Sequence, residues 1–127
     1  MNATKQKQKE VLDIVTKHFN STNRSTEPAP ILGCLYLSDD GSKCAVGMFI
    51  KDEYINDEDW VKAHNNDGAK YLLDPSDEIL IEEYRGLGVE FWTSMQSLHD
   101  EETHWDEKGL TARGRSMVAE IKEGYDL

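Results

Sequence analysis

The chain is poor in residues that do chemistry unaided. It holds two cysteines (Cys34 and Cys44), four histidines and three prolines in 127 residues, and 14 basic against 25 acidic side chains. Two cysteines are too few for a disulfide scaffold. Their C-x9-C separation falls outside the C-x2-4-C knuckle from which structural zinc sites draw their thiolates. No apolar run approaches the ~20 residues of a membrane-spanning helix, so no membrane contact is expected. The opening MNATKQKQKEVLDIV has basic residues but no apolar h-region or small-residue cleavage site, so no secretory signal is expected. These absences predict a cytoplasmic protein, in which thiols stay reduced and a Cys34–Cys44 bridge would be unusual. Walker, HExxH, GxSxG and CxxC patterns are missing. Gly86-Leu-Gly88 is too short for a phosphate-binding fingerprint, and Asp57-Glu58-Asp59 lacks the alternating order of a calcium loop. No cofactor is expected.

What is abundant is negative charge. The formal net charge is −11, and it is unevenly placed. Residues 1–30 carry five basic and three acidic side chains, whereas residues 52–107 carry seventeen acidic and three basic, a net of −14. Such a middle repels phosphate, which excludes direct nucleic-acid binding through that surface. It suits either simple solubility or attraction to a basic protein.

At this length the whole chain, 1–127, is one domain, with 1–30 as an N-terminal helix and linker and 31–127 as a hairpin plus helices. Lys5 to Phe19 has the 3.6-residue apolar period of a helix through Val11, Ile14, Val15 and His18, with Thr4 as a candidate cap. A polar stretch ending in Pro28 and Pro30 leads to ILGCLYLSDDGSKCAVGMFI at 31–50, the most apolar run in the chain. Strand formers flank Ser38-Asp39-Asp40-Gly41-Ser42, which predicts an antiparallel hairpin over about 32–50 with Cys34 and Cys44 opposed. A short helix capped by Asn56 follows. Asp74-Pro75 reads as a helix start, with the helix running to Tyr84-Arg85. A further helix beginning near Leu87-Gly88 has Leu87, Phe91, Met95 and Leu98 on one stripe, with Trp92 and His99 beside it. Residues 100–108 read as a charged connection, and Thr111 to about Gly124 as the last helix, with Gly114 allowing close packing. The fold class expected is α+β: a small hairpin packed against four or five helices.

Few residues qualify for a site. Cys44, with His99 as base and a carboxylate to orient it, would make a Cys–His–Asp nucleophile. Adjacent helical residues point about 100° apart, so Asp100 is not expected to orient its neighbour's ring. Cys34, Cys44 and His99 are the candidate zinc ligands. Both thiols serve equally well as small core hydrophobes. Trp60 and Trp105 lie in acidic surroundings, EDWVK and THWDEK, where an aromatic either anchors a partner or seals the core edge. Arg113 and Arg115 form the one local basic spot beyond the N-terminus, suited to the acidic loop or to an anionic ligand.

Two segments carry a resemblance. Gly41-Ser-Lys-Cys-Ala-Val-Gly47 with Met48-Phe-Ile-Lys-Asp-Glu-Tyr54 resembles a "CAVG … I-x-D-x-Y" pattern. Met95-Gln-Ser-Leu-His-Asp100 with Trp105 resembles an "LQ-x-x-HD … W" pattern, with methionine in place of the leading leucine. Both recur in small uncharacterised proteins of tailed bacteriophages and their hosts. The resemblance implies a phage or prophage accessory protein without a known activity, and implies that Cys44, Gly47, His99 and Asp100 share one assembly. The function expected is protein–protein binding without catalysis. Its alternatives are a DNA mimic that occupies a host nucleic-acid-binding protein, and a Cys/His enzyme or zinc-binding protein.

Overall fold

The computed structural model describes residues 3–20, 44–64, 73 and 77–127. Five α-helices lie among them: α1 (Ala3–His18), α2 (Asp52–Ile55), α3 (Glu58–His64), α4 (Val89–Asp100) and α5 (Ala112–Tyr125). A two-stranded antiparallel hairpin, β1 (Trp105–Asp106) and β2 (Gly109–Leu110), pairs Trp105 with Leu110 and Asp106 with Gly109. The class is therefore α+β, with a small hairpin packed against helices, but the hairpin seen is at 105–110. Of the hairpin expected at 32–50, the first arm and the turn lie outside the described residues. The second arm is not a strand. Cys44 to Phe49 makes a turn and the 3-10 helix Gly47–Phe49, and Ile50 alone forms a bridge, to Leu80.

Around that bridge the Ile81 N–H donates to Phe49 O and the Lys51 N–H to Ile79 O, each at 2.8 Å. This pairing also explains why 77–85 is not the helix that the Asp74-Pro75 start suggested. Ile79 and Ile81, β-branched and at ease in extended backbone, flank a buried Leu80. Only Glu82–Tyr84 coils, as a 3-10 turn. Arg85 holds the turn closed by donating to Leu80 O at 3.1 Å and Glu78 O at 2.8 Å. The start signal itself, 74–75, lies outside the described residues.

The helices with strong periodicity form as expected. α1 buries Val11, Leu12 and Val15, and Phe19 follows them into the core, whereas His18 is exposed and Thr4 lies inside the helix. The buried Gln8 amide donates to Leu87 O at 2.9 Å, fixing α1 against the chain that leads into α4. α4 buries Phe91, Trp92, Met95, Gln96, Leu98 and His99. α5 is capped by Thr111, whose Oγ1 accepts from the Gly114 N–H at 3.1 Å. α3 is capped by Asp57 rather than Asn56: Asp57 Oδ1 accepts the N–H groups of Asp59 at 3.0 Å and Trp60 at 3.2 Å. α1 packs on α4 and β2, and α5 packs on α4 and on the 3-10 turn Glu102–His104.

Candidate functional site

The two familiar segments meet in space. The Cys44–Phe49 turn is closed locally by the Gly47 N–H, which donates to Cys44 Sγ at 3.2 Å, and by the Met48 N–H to Cys44 O at 3.1 Å. It is fixed to α4 by Gln96, whose Oε1 accepts the Val46 N–H at 3.4 Å. The same amide's Nε2 donates to Asp100 Oδ1 at 3.0 Å. Asp100 Oδ1 also accepts from His99 Nδ1 at 3.0 Å. A carboxylate only accepts, so the His99 proton sits on Nδ1. His99 is wholly buried, its ring edge-on to Phe19 with centroids 4.8 Å apart, whereas Asp100 keeps about a third of its side chain exposed.

This corrects one expectation. Asp100 does orient the ring of its own neighbour: with Gln96 holding the same oxygen, side-chain rotation brings Asp100 Oδ1 onto His99 Nδ1. A second feature lies at the same end. The Trp105 indole N–H donates to the carbonyls of Leu98 and His99, both at 3.1 Å, and His104 Nδ1 donates to Leu98 O at 2.9 Å. Helix C-termini leave carbonyls without partners, and these two side chains supply them. Trp105 is 4% exposed and lies at the edge of the core.

Cys44 has the environment of a structural thiol. It is fully buried, and burial, with a smaller push from Asp100, raises its pKa from 9.0 to about 12 against the lowering effect of the Gly47 N–H. At neutral pH about one such thiol in 10⁵ is ionised, which opposes a nucleophilic role. Cys34 lies outside the described residues, so the expected Cys34–Cys44–His99 zinc set is represented here by Cys44 and His99. Among the described residues no group of three or more His, Cys, Asp or Glu side chains could hold a metal ion.

The raised thiol pKa carries a pH signature. The folded state retains a proton that the unfolded chain releases above pH 9, so this contribution to stability is complete below pH 9 and is lost as pH rises toward about 12. Wild type is expected to lose about 2 kcal/mol relative to Cys44→Ala near pH 10.5. Urea denaturation of both proteins from pH 7 to 10.5 checks it.

The remaining candidates separate. Trp60 is half-buried against Tyr54, ring centroids 5.7 Å apart, on the α2–α3 pair. Arg115 donates to Leu110 O at 2.9 Å and so belongs to the hairpin. Arg113 contributes to holding the Glu101 carboxyl below its usual range, after the larger effect of Thr103 hydrogen bonds, which places it with the acidic loop. A groove of about 560 Å³ follows α1 past Gln6, Glu10, Asp13 and Lys17, and includes neither Cys44 nor His99. Gln96 was not singled out from the sequence, although it joins the two segments. Its signal in the sequence is the fixed glutamine of the "LQ-x-x-HD … W" pattern, one position after Met95.

No family model matches the chain, and no curated protein or solved structure matches it. Among the described residues no helix is long and apolar enough to cross a membrane.

Proposed function

We propose that this chain is a small acidic accessory protein, of phage or prophage origin, that acts in the host cytoplasm by binding a protein partner and catalyses nothing itself. The observation that supports this reading is the inward placement of Cys44, Gln96, His99 and Trp105 in the two segments. All four are buried and bonded within the fold: Cys44 accepts from the Gly47 N–H, Gln96 and His99 both donate to Asp100, and Trp105 donates to the His99 carbonyl. What α2, α3 and the adjoining turn present outward is mostly carboxylate: Asp52, Glu53, Asp57, Glu58, Asp59, Glu78, Glu82 and Glu83 are exposed, with Lys62 the exposed cation among them. The partner is accordingly a protein with a basic surface.

A DNA mimic is the second reading, favoured by the Ile50–Leu80 bridge. Asp52 and Glu78 each lie two residues from it, so acids distant in sequence occupy one region. Capture of partners from bacterial host lysate tests both readings. The expected result is a partner held at low salt and released at about 0.5 M, where the screening length falls to about 4 Å and longer-range attraction is lost. It is also expected to be lost from Asp52→Asn/Glu53→Gln/Glu78→Gln/Glu82→Gln and retained by Cys44→Ala. Competition by duplex DNA separates the mimic from an ordinary acidic binder. Capture of nothing, or capture indifferent to both salt and the four substitutions, contradicts the proposal.

A further inference from the structure

No further inference is drawn: the strongest candidate, the acid-rich surface that residues 52–59 and 78–83 form beside the Ile50–Leu80 bridge, rests on clustered carboxylates, and nothing in the structure shows what covers it.

Discussion

Gly114→Ala is expected to lower the unfolding free energy by about 3 kcal/mol, near the upper end of what overpacking a tight site costs. Gly114 is buried in the first turn of α5. A methyl group there would collide with the His104 carbonyl oxygen and lie 2.8 Å from Leu110 Cδ2. The obstacle is backbone on one side and a packed leucine on the other, so neither gives way cheaply. Relief would require α5 to move off the 3-10 turn at 102–104. That movement would strain the Thr111 N–H to His104 O bond at 2.8 Å and the Thr111 hydroxyl bond to Thr103 O at 2.6 Å. Gly124, in the same helix, has open space where its methyl would go. Gly124→Ala should therefore be neutral or stabilising by up to about 1 kcal/mol through helix propensity. Opposite signs from the same chemical change, read in urea denaturation, would show that close approach at Gly114 is the cause. Equal effects would contradict it.

Trp105→Ala is expected to cost about 4 kcal/mol, the usual range for truncating a buried large aromatic. Two separate losses contribute. The indole ring packs against Phe19, with centroids 6.0 Å apart, and its removal opens a cavity beside α1. The indole N–H is shared between Leu98 O and His99 O, and without it the His99 carbonyl loses the donor that closes α4. Trp105→Phe separates them. It keeps most of the packing and should cost about 1 kcal/mol, the scale of a lost hydrogen bond at a buried carbonyl. Hydrogen exchange should then show faster opening at the C-terminal turn of α4 in both variants. A Trp105→Ala protein as stable as wild type would mean that the ring is not the core residue described here.

How much of this was legible beforehand depends on the range of the interactions. α1, α4 and α5 were readable because an apolar 3.6-residue stripe and a local cap are written in consecutive residues. Val11 to Phe19, Phe91 to Leu98 and Thr111 ahead of Gly114 are examples. The segment Cys44 to Ile50 misled because its composition suits a strand. What turns it is the Gly47 N–H returning to the Cys44 sulfur and the Val46 N–H reaching Gln96, fifty residues away. Periodicity does not report such bonds. The hairpin at 105–110 has only two residues in each strand, too few to show alternation, and Gly109 with φ of 128° was its single local mark. For the site, the Cys44–Phe49 turn and the end of α4 are joined through Gln96, which bonds Val46 on one side and Asp100 on the other. The ideal-helix angle argued against a His99–Asp100 bond because it describes only where the Cα–Cβ bonds point, whereas rotation of the two side chains brings ring and carboxylate together. Trp105 drew attention through its acidic neighbours, yet its place is set by the bare carbonyls at the end of α4.

That these buried residues hold the fold together and leave binding to the acidic surface is tested most directly at Cys44. Native protein would be treated with iodoacetamide and the Cys44 peptide followed by mass, separately from Cys34. The native rate should lie orders of magnitude below that of the urea-unfolded chain and should not fall in His99→Gln, because reaction then waits on opening of the structure. A native Cys44 that reacts faster than the unfolded chain, and slows when His99 is replaced, would reveal an activated thiolate and contradict the account.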